Sequence, residues 1–297
     1  MTIRWGVSPI AWANDDMPEL GGDTTLESLL TDVREIGFEG VELGNKFPRD
    51  PDLLTPIMQS FGLAVIGGWY SSSLLVRDAE AEISALGAHL ALLKAMGSEV
   101  FILAETSNAT HGDRTGGRLD SHPVLSRDEW ESFGERLNKV AGYINDQGLR
   151  FAYHHHLGTA VETQAELDRF FEVTGDHVGL VLDSGHAVYG GIDPAAIARA
   201  RPERISHVHC KDVRTRRHAE FRAAGRSFLD GVVGGMFTTP GDGDYDFGAL
   251  LEALKAIEYS GWIVIEAEQD PAVADPRAYS RSGLETLKQI AAQTGLI

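Results

Sequence analysis

Three consecutive histidines, His154, His155 and His156, close an apolar run in FAYHHHLGT (151–159). Three further apolar runs end in the same kind of chemistry: LDSGH (182–186) in Asp183 and His186, ISHVHCKD (205–212) in His207, His209 and Lys211, and WIVIEAE (262–268) in Glu266 and Glu268. Carboxylate oxygens and imidazole nitrogens together suit a first-row divalent ion, and histidine exchanges protons near neutral pH. Such groups are costly to bury unless they are paired or share a cation. A single divalent metal accounts for all of them at once.

For these ends to meet, the runs must be strands of one sheet. Eight apolar runs (4–9, 40–44, 63–69, 99–105, 149–156, 178–186, 205–212 and 262–268) alternate with segments such as TLESLLTDVREIG and DEWESFGERLNKVAGYINDQG. These segments carry apolar residues at helical spacing, and many end in the glycine that caps a helix before the next strand. Eight strands, each followed by a helix, make a (β/α)8 TIM barrel spanning 1–297 as a single domain. A doubly wound sheet is disfavoured because SPIAWANDD (8–16), rather than a Gly-rich phosphate turn, follows the first strand.

In a barrel the chemistry lies at the C-terminal strand ends. Those ends read Trp12, Asn14, Asn45, Glu105, His154, His156, Asp183, His186, His207, His209, Lys211, Glu266 and Glu268. Strand parity places His154 and His156 on one face and His155 on the other, where it packs behind the barrel. It also pairs His207 with His209 and Glu266 with Glu268. Asp183, His209 and Glu266, from consecutive strands, are the firmest metal candidates. Trp12, Asn14, Asn45 and Glu105 are expected to contact substrate. His89, His111, His122, His177 and His218 fall on helices or loops and are background. Two long connections, 106–126 and 213–245, are expected to be lids or subunit contacts.

The bulk composition narrows the partners. With 26 Lys plus Arg against 44 Asp plus Glu the net charge is −18, which opposes nucleic-acid binding. The basic stretch at 211–226 reads as a solvated loop or subunit contact. No run approaches the roughly 20 apolar residues of a membrane span, and the N-terminal residues lack a signal-peptide pattern. One cysteine, Cys210, excludes an internal disulfide and fits a reducing compartment. The expectation is a cytoplasmic protein acting on a small molecule.

LDSGHAVYGG, ISHVHCKD and GWIVIEAEQD resemble the metal-binding strand ends of the xylose-isomerase-like barrel superfamily. Together with SPIAWANDD, GVELGNKFPRDP and YHHHLGTAVET they resemble the inosose dehydratases of inositol catabolism. The resemblance runs from the first strand to the last. It implies metal ligation by Asp183, His209 and Glu266, a ligand set that suits manganese or cobalt. The fourth ligand is open: relatives end strand five with Glu, where this chain has His154, and Glu162 in GTAVET can reach back from the loop. The implied reaction removes water from a cyclic keto-polyol, 2-keto-myo-inositol, to give a trihydroxycyclohexane-dione. His154 or His156 would serve in one proton-transfer role and His186 or Lys211 in the other. The resemblance also implies a homo-oligomer, dimer or tetramer. The competing reading on the same barrel is a metal-dependent sugar or inosose isomerase or epimerase. An endonuclease or a non-catalytic sugar-binding barrel fits less well, because of the charge and the ligand set respectively.

Overall fold

The computed structural model describes residues 2–297. Eight strands close a parallel barrel: β1 (Ile3–Val7), β2 (Gly40–Leu43), β3 (Ala64–Ser72), β4 (Val100–Glu105), β5 (Arg150–His154), β6 (Gly179–Asp183), β7 (Ile205–Cys210) and, after the short antiparallel pair β8 (Asp212–Val213) and β9 (Phe237–Thr238), β10 (Gly261–Ile265). The order around the barrel is β1-β10-β7-β6-β5-β4-β3-β2, so β10 closes on β1. This is the expected TIM barrel. The matching runs of the sequence extend past the paired strands: His155, His156, Glu266 and Glu268 stand on irregular chain just beyond the last ladder bonds.

The helices begin and end where local chemistry requires. α1 (Leu26–Ile36) is capped by Thr25, whose hydroxyl accepts from the Ser28 N–H, and stops at Gly37 in the left-handed region at φ 99°. α2 (Pro51–Phe61) starts on Asp50 with proline in its first turn, and α3 (Ala79–Ala95) follows β3. α4 (Arg127–Asp146) opens with a reciprocal Ser126–Glu129 capping box, and α5 (Gln164–Val173) with a Thr163–Glu166 box. Between β6 and β7 lie α6 (Ser184–Tyr189), which the helical periodicity does not announce, and α7 (Pro194–Ala200). The excursion after β7 is not a bare loop, because it carries α8 (Thr215–Ala223) and α9 (Phe228–Val233) between β8 and β9. α10 (Phe247–Ala256) and α11 (Pro276–Thr294) complete the shell.

The main core fills the layer between strands and helices, and Cys210 packs within it. A separate apolar cluster sits over the C-terminal end of the barrel, made by Met17, Leu119, Leu157, Val213, Phe228, Val232, Met236 and Phe237. It joins the 106–126 and 213–245 connections. Asp212 fastens the second of these. Its buried carboxylate accepts from the N–H groups of Val213 (2.8 Å), Gly241 (2.9 Å), Gly243 (3.0 Å) and Tyr245 (3.0 Å). Asp212→Ala strands four donors and is expected to cost roughly 2–4 kcal/mol, with Asp212→Asn recovering part of it. Chemical denaturation reads the change, and an unshifted midpoint would show that water replaces the carboxylate.

Candidate active site

His154 at the end of β5, Asp183 at the end of β6, His209 on β7 and Glu266 just past β10 come together, all buried, with one ligand-type atom of each within 4.8 Å of the others. His209 Nδ1 stands 3.6 Å from Asp183 Oδ2 and 2.7 Å from Glu266 Oε2, and His154 Nε2 is 3.7 Å from Asp183 Oδ2. The imidazoles are aimed by their other nitrogens. His154 Nδ1–H donates to the His155 carbonyl at 2.8 Å, leaving Nε2 with a free lone pair. His209 Nε2–H donates to Glu42 Oε1 at 2.9 Å, turning Nδ1 toward the cluster. Asp183 Oδ2 and His209 Nδ1 are both buried without a well-formed hydrogen bond. A carboxylate oxygen without a hydrogen bond, facing the ring nitrogen of His209 among two carboxylates and two imidazoles, fits a first-row divalent ion.

The charges are arranged for the same purpose. Burial pushes His154 down to about 3, so it is a neutral ligand. Burial opposes charge on His209 too, but Glu42 and Glu266 hold it well above the usual histidine range. Burial works against Glu42, yet His209 and His207 keep it at about 2. Burial likewise works against Glu266, which Lys211 and His209 hold well below the carboxylate range. A metal taken up at neutral pH must therefore displace the His209 Nδ1 proton. About one proton released per ion is expected, with affinity falling as the pH is lowered. Calorimetry in two buffers of different ionisation enthalpy measures it, and zero release would remove His209 as a charged ligand precursor.

Beside the cluster lies a cavity of about 250 Å³. Its lining includes His154, His209 and Glu266, with His156, His111, Trp69, Ser71, Glu268, Asp15 and Asp16, and contains no Lys or Arg. Trp69 stands edge-on to His154 and His156 with centroids 5.2 and 5.7 Å away. His156 Nδ1–H donates to the Leu157 carbonyl at 2.7 Å. Burial, then His111 and His154, hold His156 well below its ordinary pKa, so its imidazole is neutral with the Nε2 lone pair available.

Several of the expected site residues lie away from the cavity lining. Lys211 and His186 do not line the cavity. Lys211 is fully buried, and its ammonium reaches Glu266 Oε1 (2.6 Å), Glu268 Oε2 (3.1 Å) and His186 Nε2 (3.0 Å), using all three donors. His186 packs against His156, ring centroids 3.7 Å apart and planes tilted by 37°. Glu162 does not reach the metal cluster. The turn after β5 folds so that its Oε2 accepts from the Gly158 N–H at 2.6 Å, with Oε1 3.4 Å from His122. His154 is the fourth member instead. The four expected substrate contacts are also absent from the lining. Trp12 Nε1–H donates to Asp32 (3.0 Å), and Asn14 Oδ1 accepts from the N–H groups of Asp16 and Met17 (2.8 Å each). Asn45 donates to the Asn14 carbonyl, and Glu105 accepts from Ser72, Leu74 and Ser107. These residues shape loops, and the loop held by Asn14 and Asn45 presents Asp15 and Asp16 to the cavity.

His207 is an interior residue whose Nε2–H donates to Glu42 Oε1 at 2.8 Å. His155 is buried away from the cavity lining, and neither ring nitrogen has a hydrogen-bond partner. The sequence reading passed over Glu42, although a lone carboxylate inside the buried strand GVEL is itself a signal that a partner is present.

No helix among the described residues is long and apolar enough to cross a membrane. The chain matches the family described as Xylose isomerase-like TIM barrel over residues 30–290. It is 44% identical over 295 residues to the Rhizopine catabolism protein MocC of Rhizobium meliloti, covering 99% of this chain and 90% of that protein. It is 41% identical over 281 residues to an inosose dehydratase of Lacticaseibacillus casei, covering 94% of each. Among solved structures, an L-ribulose 3-epimerase aligns at a TM-score of 0.67 and 19% identity over 100% of this chain and 98% of that one, a likeness of fold. With its buried His/Asp/Glu cluster, the chain belongs to the inosose dehydratase-like family of enzymes within the xylose isomerase-like TIM barrels.

Proposed function

We propose that the protein is a metal-dependent hydro-lyase that dehydrates 2-keto-myo-inositol to a trihydroxycyclohexane-dione in inositol catabolism, with manganese or cobalt in the cluster. The observation that carries this reading is the neutral His156 beside the four-residue cluster, in a small cavity without Lys or Arg. An uncharged polyol loses nothing by the missing cations, whereas a phosphorylated sugar would meet several carboxylates unpaired.

An ion held by His154, Asp183, His209 and Glu266 would polarise the substrate carbonyl and an adjacent hydroxyl, acidifying the neighbouring C–H. His156 Nε2 then takes the proton from that carbon. Its weak basicity suffices only because the C–H is already acidified. The departing hydroxyl needs a proton, and Glu268 lines the cavity with its carboxyl pushed up to about 7 by burial, Lys211 opposing. Near neutral pH it is protonated in a substantial fraction of molecules and can donate. The carbon loses its proton to His156, the C–H electron pair becomes a C=C bond as the C–O bond breaks, and water leaves with the proton from Glu268. The resulting enol then ketonises to the dione. Lys211 holds Glu266 and Glu268 in register, and His186 packs against His156.

Mass spectrometry of the enzyme incubated with 2-keto-myo-inositol and manganese or cobalt, against a chelated control, tests the reading. Metal-dependent loss of the mass of one water is expected. An unchanged mass with solvent deuterium incorporated would replace it with an isomerase or epimerase.

A further inference from the structure

His111 is the cavity histidine that this scheme leaves without a role. His111 belongs to the 106–126 connection, yet it is 8% exposed and lines the cavity, its ring centroid 4.8 Å from that of His156. The connection is seated from two sides. The Thr110 N–H donates to the Gly158 carbonyl (2.8 Å), and the Leu119 N–H donates to the Arg226 carbonyl (2.9 Å). Gly158 makes the approach possible: it sits at φ +72°, and a Cβ there would stand 2.7 Å from the His111 nitrogen. His154 and His156 spend their Nδ1–H groups on backbone carbonyls, which sets their tautomers. His111 Nδ1 is buried with no partner at all. The protein thus leaves the tautomer of His111 open, and a neutral imidazole offers one donor and one acceptor, the complement of a hydroxyl group.

We infer that His111 is a substrate-contacting residue, which hydrogen-bonds a hydroxyl of the bound ring and selects for polyols. The inference rests on the reading of the cavity as a polyol site. A non-reacting cyclic polyol, myo-inositol, serves as the probe. Zinc-loaded protein carrying 13Cε1-labelled histidine is titrated with it and followed by NMR, the His111 signal being assigned from its loss in His111→Gln.

The His111 signal is expected to shift saturably. His111→Ala should weaken myo-inositol binding about 10–100-fold, and His111→Gln should restore part of it, with zinc content and melting temperature unchanged in both. Movement of His156 without His111, or binding by the Ala variant within about twofold of wild type, overturns the inference and leaves the polyol reading standing. Failure of both signals to move rejects the polyol reading and the inference together.

Discussion

Asp183→Asn should empty the metal site and lower turnover by about a thousandfold or more while leaving the barrel folded. The two oxygens of this carboxylate do different work. Oδ1 accepts from the His186 N–H at 2.9 Å and caps α6. Oδ2 stands within 3.7 Å of His154 Nε2 and His209 Nδ1 with no hydrogen bond of its own. Asparagine keeps a carbonyl oxygen for the cap and places an NH2 group, which cannot ligate, where Oδ2 was. The loss is therefore confined to the ion. Burial opposes charge on Asp183 and Lys211 favours it, holding the group below the usual aspartate range. Metal content by elemental analysis, turnover, and the far-ultraviolet melting curve separate the effects. Stoichiometric metal with near-normal turnover in Asp183→Asn would remove this residue from the site.

Lys211→Met should be the most destabilising single substitution of the site, by about 3–5 kcal/mol, because it leaves buried carboxylates without their cation. The methionine fills the same volume, so packing is not the cause. The deficit should depend on pH in a defined direction. Glu268 titrates at about 7 in the folded chain, above its ordinary 4.5, because burial outweighs the attraction of Lys211. A carboxyl with a raised folded pKa binds more protons folded than unfolded, so its contribution to stability declines as pH rises from the unfolded value through the folded one. Removing Lys211 pushes that pKa higher and deepens the decline. The apoprotein deficit should be smaller near about pH 5, where the loss of the Glu266 pairing alone is felt, and largest above about pH 8, where Glu268 adds to it. Lys211 itself stays charged across this window, since Glu266 and Glu268 outweigh burial and raise its pKa. Chemical denaturation at the two pH values measures the difference. Equal deficits, or one below about 1 kcal/mol, would mean that the carboxylates find other partners.

The barrel was legible because its punctuation is local. Helical periodicity, caps such as Thr25 and Ser126, and glycines such as Gly37 all act within a few residues. Asp183, His209 and Glu266 were legible for a related reason, as each stands within one residue of the end of an apolar strand whose direction parity reveals. Where the chain leaves the ladder, that logic stops. Parity placed His154 and His156 toward the cavity, but it could not show that Glu162 turns back onto the Gly158 N–H. Asn14 and Asn45 look like ligand contacts in sequence, and in the fold they brace a loop, a role that Asn side chains take readily. Lys211 and His186 stand in the expected order along the chain but are buried behind the cavity lining, a depth that sequence does not reveal. His111 carried no local signal, since its position depends on a loop seated against Gly158 and Arg226.

The apolar cluster over the barrel mouth is separate from the main core, and it is drawn from the two long connections together with Met17 and Leu157. Its Phe228 and Phe237 pack against His156 and His186. The barrel carries most of the cavity lining, including His154, His209 and Glu266, while the cover packed against His156 and His186 belongs to a smaller cooperative unit that opens at a lower free energy. Heat should inactivate the enzyme several degrees before the barrel melts, and amides of 213–245 should exchange with solvent faster than those of β5 to β7. Catalytic lifetime in this protein is then set by the roof over the site rather than by the barrel beneath it.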